Sequence, residues 1–277
     1  MPVKASVIIA FYNNIETLRL VFAGLSIQTF HDFEVIIADD GSKPEIIGKL
    51  KELQKEYEKY FSTQHIWHED IGWRKNIILN KAILASNSEI LIFIDGDCIP
   101  HPRFVEEHYI NSEDNYALAG RRINMSHEVT KQLTETKIRN KYLQKVGFIR
   151  LIFNQAFSKT ASHVENGIYI KNKVLRKWLR KENRGLLGCN FSIKKADMLK
   201  INGFDERYNS AFAGEDTDVQ VRLYNNGGHD KSVKHIAIVY HCYHPLRTFE
   251  SVCLDILNSH IENKTTYTPF GIYKNDE

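Results

Sequence analysis

The first hundred residues alternate between short apolar runs and segments in which apolar residues recur at helical spacing. In residues 15–28, for example, the spacing i, i+3, i+4, i+7 connects Leu18 to Leu25 and predicts a helix with one apolar face. Residues 42–45 have the pattern of a capping box, with proline in the first turn, and predict the start of a second helix. The predicted strands are 3–12, 32–38, 64–68 and 90–94, and a third helix is predicted over 75–85.

Strand and helix therefore alternate three times before a fourth strand. Parallel strands joined by helices form right-handed crossover units, with helices covering the sheet. The apolar runs are nearly continuous, which is typical of strands buried on both faces. The expected fold class is α/β, with a Rossmann-like, mostly parallel central sheet and helices on both faces.

Composition sets the broad class of the chain. Its 277 residues are 43% hydrophobic and 26% charged, which predicts a globular protein. Neither a signal peptide nor an apolar run of about 20 residues is evident. Four cysteines without C-x-x-C spacing favour neither zinc nor a disulfide framework, and they fit a reducing cytoplasm. We expect one domain over 1–277, divided into 1–120, 121–185 and 186–277.

Aspartates follow two of the predicted strands. Asp39 and Asp40 precede Gly41-Ser42, and Asp95 and Asp97 follow the run 90–94. Ligand sites in open α/β sheets lie beyond the carboxyl ends of the strands, where such carboxylates can hold a metal ion on a diphosphate. The alternative is a pair of solvated turns, because Asp-Gly is a common turn dipeptide. Neither G-x-G-x-x-G nor a P-loop occurs, so another device must neutralise phosphates.

Four motifs together resemble the GT-A fold glycosyltransferases of family 2. They are Phe11-Tyr12-Asn13-Asn14, Asp39-Asp40-Gly41-Ser42, the segment 68–74 with Asn80-Lys81-Ala82, and Ile94-Asp95-Gly96-Asp97.

The resemblance implies a role for each motif. Asp40, with Asp39 beside it, would contact the uracil of a UDP-sugar, and Arg74 with Asn80 would bind the diphosphate region. Asp95 and Asp97 would hold Mn²⁺ or Mg²⁺. Leu79 departs from the family pattern, which often has arginine there, and Arg74 and Asn80 could instead be ordinary residues of a helix surface. Phe11, Tyr12, Asn14 and Asp95 complete the expected nucleotide-sugar site.

A second group of motifs resembles the carboxy-terminal segment that these enzymes share with galactosyltransferases. The motifs are Gly188-Cys189-Asn190-Phe191-Ser192-Ile193, Asn202-Gly203-Phe204-Asp205-Glu206 and Ala213-Gly214-Glu215-Asp216-Thr217-Asp218.

A helix that begins at Glu215 would direct Asp216 toward the core or the cleft. Asp216 would share one face with Val219 and Leu223, whereas Glu215 would share the next face with Asp218 and Arg222. A carboxylate near a helix N-terminus stays ionised and suits a general base. We therefore expect Asp216 to be the catalytic base and Glu215 to orient the acceptor. The alternative is that these acids only complement the helix dipole.

The metal requires a further ligand after two aspartates. The resemblance favours His241, which follows the predicted strand 236–240, and His244 is the second choice. Alternatively, either histidine could be a hydrogen-bonded structural residue.

Residues 121–185 contain sixteen lysines and arginines against four glutamates, so the remainder of the chain is net acidic. Apolar residues such as Phe148, Phe153 and Trp178 are interleaved with these cations. The segment could lie on an anionic membrane surface or close over a diphosphate donor. It could equally be a solvated helical insertion.

Taken together, these features predict a metal-dependent, inverting hexosyltransferase. The resemblance implies UDP-galactose or its N-acetyl relative as the donor, and a free or lipid-linked saccharide in bacterial surface glycan synthesis as the acceptor. We expect a cytoplasmic protein with a possible peripheral membrane contact and no nucleic-acid partner. Two alternatives stay open, a metal-dependent nucleotidyltransferase and a non-catalytic nucleotide-sugar binding module.

Overall fold

The computed structural model describes residues 3–179, 185–210, 214–245 and 253–274. Ala213 and the basic residues Arg180, Lys181 and Arg184 lie outside these ranges. The strands are β1 (Ala5–Phe11), β2 (Phe33–Asp39), β3 (Ser62–Trp67), β4 (Ile90–Asp95), β5 (Cys98–Pro100), β6 (Tyr116–Ala119), β7 (Arg121–Asn124), β8 (Asn190–Lys194), β9 (His229–Ser232) and β10 (Ile238–His241). The helices are α1 (Ile15–Leu25), α2 (Pro44–Tyr57), α3 (Lys75–Ala85), α4 (Phe104–Asn111), α5 (His127–Lys131), α6 (Glu135–Arg139), α7 (Val146–Phe153), α8 (Lys173–Leu179), α9 (Lys195–Lys200), α10 (Glu215–Asn225) and α11 (Leu254–Glu262).

Seven strands form one central sheet in the order β3-β2-β1-β4-β8-β6-β9. Only β8 pairs antiparallel to its neighbours within this sheet. Successive residues of β1 point to opposite faces, so Ile9 packs with Leu18 of α1, whereas Ile8 packs with Ile78 of α3 and Val219 of α10. The expected α/β fold with helices on both faces of a mostly parallel sheet is confirmed.

The strand register brings the acidic strand ends together. Phe11 pairs with Asp39 in β2, and Ala10 pairs with Asp95 in β4, so both aspartates flank the end of β1. This edge of the sheet is the carboxyl end of its parallel strands, where ligands bind in open α/β folds.

A second sheet of three strands, in the order β5-β10-β7, covers one side of this edge. In it His241 pairs with Cys98 and with Asn124. Residues 98, 124 and 241 are far apart in sequence, so their proximity depends on this small sheet. It places the end of β10 directly beside the turn that carries Asp97, whose carbonyl accepts a hydrogen bond from the Cys242 N–H at 2.9 Å.

The start of α2 differs from the prediction, because no capping box forms. Lys43 is the N-cap residue and has no side-chain cap. The Ser42 hydroxyl instead accepts a hydrogen bond from the Asn13 N–H at 2.7 Å, and Asn13 Oδ1 accepts one from the Lys43 N–H at 2.9 Å. Ser42 therefore joins the loop after β1 to the loop after β2, a long-range contact that outcompetes the local cap.

The face prediction for α10 is only partly right. Val219 and Leu223 are buried as expected, but Asp218 and Arg222 are fully buried as well. The Arg222 guanidinium donates to Asp218 Oδ2 at 2.9 and 2.7 Å and to the Gly203 carbonyl at 2.9 Å. His260 of α11 lies against the other oxygen of Asp218. Two opposite charges four residues apart can be buried together when their hydrogen bonds are satisfied.

No described helix is both long and apolar enough to cross a membrane.

We predict that Arg222→Met destabilises the protein by about 3 kcal/mol, because Asp218 would lose its counter-charge within the core. Urea unfolding followed by circular dichroism measures the change. Lys200→Met serves as the control, since Lys200 is half-exposed in its pair with Asp197 and should contribute under about 1 kcal/mol. A loss in Arg222→Met no larger than in the control would contradict a structural role for the buried pair.

Candidate active site

A cleft of about 1110 Å³ opens at the carboxyl edge of the central sheet. Its walls come from the loops after β1, β2 and β4, the starts of α3 and α10, and the segment after β10. Nine of the residues singled out from the sequence line it: Phe11, Tyr12, Asn14, Asp40, Asp95, Asp97, Glu215, Asp216 and His241.

One end of the cleft is built around Asp40. Its carboxylate lies 2.7 Å from His68 Nε2 and accepts the Arg74 N–H at 3.0 Å. Burial raises the pKa of Asp40, although His68 and Arg74 oppose the shift. Gly41 has a φ of +94°, and a Cβ there would lie 2.6 Å from the Asp70 backbone, so this turn requires glycine.

Asp39, Arg74 and Asn80 are not among the described residues that line the cleft. Asp39 is fully buried and bonded to the Ser42 N–H at 2.8 Å and to His65 at 2.9 Å. The Arg74 side chain turns back to the Glu69 carbonyl.

Asn80 donates to the Phe204 carbonyl at 2.8 Å and accepts the Phe204 N–H at 2.9 Å. These bonds join α3 to the loop after α9. Asn80 therefore supports the cleft wall. The diphosphate contacts expected for Asn80 and Arg74, and the place expected for Asp39 beside the uracil, stay predictions.

Lys75, the first residue of α3, lies between two carboxylates of the cleft. Its ammonium is 3.0 Å from Asp95 Oδ1 and 3.9 Å from Glu215 Oε1. Burial disfavours the charged form of Asp95, but Lys75 outweighs it and lowers the pKa of that carboxyl. Burial raises the pKa of Glu215, and Lys75 opposes this shift. The same lysine thus joins the donor half of the chain to the carboxy-terminal half.

Asp97 lies beside two histidines. Its Oδ2 is 3.6 Å from His241 Nε2 and 3.6 Å from His244 Nε2. Burial and the neighbouring Asp95 raise the pKa of Asp97 to about 6, whereas burial and Arg122 lower the pKa of His241 to about 4. A neutral imidazole is the form that binds metal.

These atoms could hold a divalent cation. Carboxylate oxygen and imidazole nitrogen form a donor set that suits Mn²⁺, and both histidines considered from the sequence are within reach of Asp97. The ligand atoms of Asp97, Cys98 and His241 lie within 4.8 Å of one another, as do those of Asp95, Cys98 and Cys189. The residues present therefore fit the metal that the family resemblance implies.

Asp216 stands in the first turn of α10 and contacts the loop before β8. Its Oδ2 accepts the Gly188 N–H at 2.8 Å, and its Oδ1 accepts the Thr217 N–H at 2.8 Å. Gly188 lies between Asp216 and Lys75, since a Cβ there would be 3.7 Å from Asp216 Oδ2 and 3.8 Å from Lys75 Nζ. Both carboxylate oxygens are thus held by backbone donors at the cleft wall.

Two cations of the cleft were missed as site residues from sequence. The family motif drew attention to Arg74. The next residue, Lys75, is the one that lines the cleft. Arg122 was counted only among the basic residues 121–185, and it also lines the cleft, with Nη1 3.7 Å from Cys189 Sγ. A cation at the N-terminus of a helix is unfavourable to the helix dipole. The position of Lys75 as the first residue of α3 was therefore a signal in the sequence that could have singled it out.

Sequence comparison identifies the family. The sequence model of glycosyl transferase family 2 matches residues 6–178, and that of the N-terminal domain of galactosyltransferase matches residues 173–245. The first match covers more than half of the chain. The chain therefore belongs to glycosyl transferase family 2 and is a glycosyltransferase.

Several curated proteins are similar to this chain. The chondroitin synthase of Escherichia coli is 27% identical over 243 residues, which cover 85% of this chain and 34% of that protein. The validoxylamine A glucosyltransferase of Streptomyces hygroscopicus subsp. jinggangensis (strain 5008) is 23% identical over 231 residues, covering 80% of this chain and 51% of that protein. The chain spans only about a quarter to a third of the first four curated relatives.

Solved structures confirm the GT-A fold. GalNAc-T7 with UDP, GalNAc and Mn²⁺ superposes with a TM-score of 0.58 at 14% identity, covering 87% of this chain and 44% of that one. The mannosyltransferase PcManGT of Pyrobaculum calidifontis, in complex with GDP-Man and Mn²⁺, gives 0.56 at 11% identity, covering 94% of this chain and 62% of that one.

We predict that Lys75→Met in EDTA lowers the free energy of unfolding by about 2 kcal/mol near pH 7, because Asp95 and Glu215 lose their shared counter-charge. Lys75 lowers the folded pKa of Asp95, so this stabilisation is fully present above the unfolded pKa of about 4 and is lost progressively as pH falls through the lower folded pKa. Urea unfolding at pH 7 and pH 3 measures both values.

Lys81→Met is the matched control, because Lys81 is an exposed lysine on the same helix. A Lys75→Met deficit that stays unchanged between pH 7 and pH 3 would show that packing, not charge, is responsible.

Proposed function

We propose that the chain is a metal-dependent, inverting glycosyltransferase that moves galactose or N-acetylgalactosamine from a UDP-sugar to a saccharide acceptor. The observation that carries this proposal is the meeting of two carboxylate groups in one cleft. Asp95, at the end of β4, and Glu215, at the start of α10, share the Lys75 ammonium. This meeting supports a single reaction centre between the proposed donor half and the proposed base half.

On the donor side, Asp40 lines one end of the cleft, and a carboxylate there can accept the N3–H of a uracil. Tyr12 lines the same region, and its hydroxyl donates to Asp70 Oδ2 at 2.8 Å. Asp97, His241 and Asp95 would hold Mn²⁺ or Mg²⁺, which supplies Lewis-acid neutralisation of the diphosphate. His244 is an alternative ligand at the same distance from Asp97 as His241.

Lys75 and Arg122 add positive charge along this wall. Their cations can offset the charge that develops on the leaving UDP, which supports the expectation that no glycine-rich loop is needed.

On the acceptor side, we assign Asp216 as the base. An acceptor hydroxyl attacks the anomeric carbon, its proton passes to a carboxylate oxygen of Asp216, and the bond to the UDP oxygen breaks with its electrons staying on UDP. Hydrogen bonds from Gly188 and Thr217 fix that carboxylate, and the first turn of α10 favours its ionised form. Glu215, held by Lys75, would orient the acceptor sugar.

The wider role follows from the relatives' names. Two of them are named chondroitin synthase and hyaluronan synthase, which supports an acceptor that is a growing saccharide, lipid-linked or free, in bacterial surface glycan synthesis. We further propose action at the cytoplasmic side of the membrane. Family membership favours a glycosyltransferase over the nucleotidyltransferase and the binding module.

We predict that Asp216→Asn lowers the rate of sugar transfer at least about 10³-fold, because the amide cannot accept the hydroxyl proton. UDP affinity, measured by calorimetry with Mn²⁺, should stay within about twofold, since the base does not contact the nucleotide. Asp255→Asn is the control, because Asp255 is an exposed acid in the first turn of α11. Full activity of Asp216→Asn would refute the assignment.

We also predict slow release of UDP from UDP-galactose or UDP-N-acetylgalactosamine in Mn²⁺, even without acceptor, and its loss in EDTA. The measurement is a UDP-detection assay across a panel of UDP-sugars and GDP-mannose. Hydrolysis of one sugar nucleotide identifies the donor. Equal release in EDTA would contradict metal dependence, and preference for GDP-mannose would contradict the UDP assignment.

A further inference from the structure

Helix α8 has an unusual relation to the rest of the molecule. None of its seven residues is buried. At about 100° per residue, Lys173, Arg176 and Lys177 share one side of the helix, whereas Val174, Leu175 and Trp178 share the opposite side. The helix is thus amphipathic, yet its apolar side does not pack on the core.

The cationic side of α8 faces the protein across a shallow pocket of about 260 Å³. The opposite wall of this pocket carries Lys231, Lys234 and His235, from β9 and the turn before β10. Six basic side chains therefore line one cavity, and no acidic residue does so among the described residues. Lys231, which pairs with Glu113 at 3.3 Å, is the one member of this set with an ion pair inside the described ranges.

Hydrogen bonds to backbone carbonyls connect the segment just before α8 to His235 in the opposite wall of the pocket, although both walls carry positive charge. The Ile170 N–H donates to the His235 carbonyl at 2.9 Å, and His235 Nδ1 lies 3.2 Å from the Ile168 carbonyl. Burial lowers the pKa of His235, and Lys234 and Arg176 lower it further, which reflects the positive field in the pocket. An anion between the walls would relieve this repulsion.

The apolar side of α8 is exposed to solvent. Val174 is 78% exposed, Leu175 44% and Trp178 79%. Apolar surface of this kind, next to clustered cations, is typical of helices that lie in the interface of an anionic membrane. Tryptophan is enriched at that interface because its ring is both apolar and able to donate a hydrogen bond.

We propose that α8 and its basic pocket form a docking site for the anionic surface of a phospholipid bilayer. A lipid phosphate enters the pocket and bridges the cations of α8 and of Lys231 and Lys234. The side bearing Val174, Leu175 and Trp178 inserts among the acyl chains near the headgroups. The bilayer thus neutralises the excess positive charge on one side of the helix and covers the exposed apolar groups on the other.

This site is separate from the catalytic cleft, because none of the residues that form it lines that cleft. The basic segment 121–185 is therefore divided in function. Arg122 lines the cleft, whereas Lys173, Arg176 and Lys177 belong to the second pocket.

Vesicle flotation tests the proposal with the full chain. Wild type is expected to bind vesicles of phosphatidylcholine mixed with phosphatidylglycerol, to ignore pure phosphatidylcholine, and to release as salt rises. Lys173→Glu/Lys177→Glu should weaken binding at least about tenfold, because two cations become anions. Trp178→Ser should weaken it by a similar factor at every salt concentration at which wild type still binds, since its contribution is apolar.

Lys51→Glu/Lys55→Glu is the matched control, because these exposed lysines have the same spacing on α2 and the same change in net charge. The thermal unfolding temperature of Lys173→Glu/Lys177→Glu should not fall below that of wild type, since the new glutamates would face Lys231 and Lys234. Donor hydrolysis should also be unaltered in it.

If both double variants lose vesicle binding equally, net charge alone explains the loss and the proposal is overturned. Absence of vesicle binding by wild type would overturn it as well. Calorimetric binding of inorganic phosphate, or retention on an acidic polysaccharide, without vesicle binding would reassign the pocket to a soluble anion.

Discussion

The cleft at the carboxyl edge of the sheet depends on one ammonium group. Lys75 stands 3.0 Å from Asp95 and 3.9 Å from Glu215, which belong to opposite halves of the chain. Without a cation between them, two carboxylates at the mouth of a sheet would repel each other and take up protons. The Lys75 ammonium keeps both carboxylates ionised in the fold, and these carboxylates belong to the proposed reaction centre, so stability and the proposed chemistry depend on the same interaction.

The position of the proposed base depends on a second, deeper pair. Asp218 and Arg222 are buried within α10, and Arg222 also binds the Gly203 carbonyl, while His260 closes the network from α11. Helix α10 is thereby fixed relative to α11 and to the loop that carries Gly203. A carboxylate at Asp216 can act on a hydroxyl only if the first turn of this helix is held in place, because proton transfer requires hydrogen-bond distance.

Charge is distributed unevenly over the molecule, and the structure separates its roles. Arg122 reaches the cleft from β7, a strand of the small sheet that also positions His241 beside Asp97. The cations of α8 instead face Lys231 and Lys234 across the second pocket. A basic segment that is continuous in sequence is therefore split between the cleft and a separate surface.

Local patterns in the sequence determined the alternation of strands and helices and placed aspartates at strand ends, because hydrophobic periodicity and turn residues act over a few neighbours. Together with the family resemblance, they also pointed to Asp40, Asp95, Asp97, Asp216 and His241, all of which line the cleft. Only the tertiary structure decided that Lys75, not Arg74, points into it, that Asn80 binds Phe204, and that Asp218 and Arg222 are buried. These outcomes depend on partners more than a hundred residues away or on the burial of a whole face, and neither is encoded in local spacing.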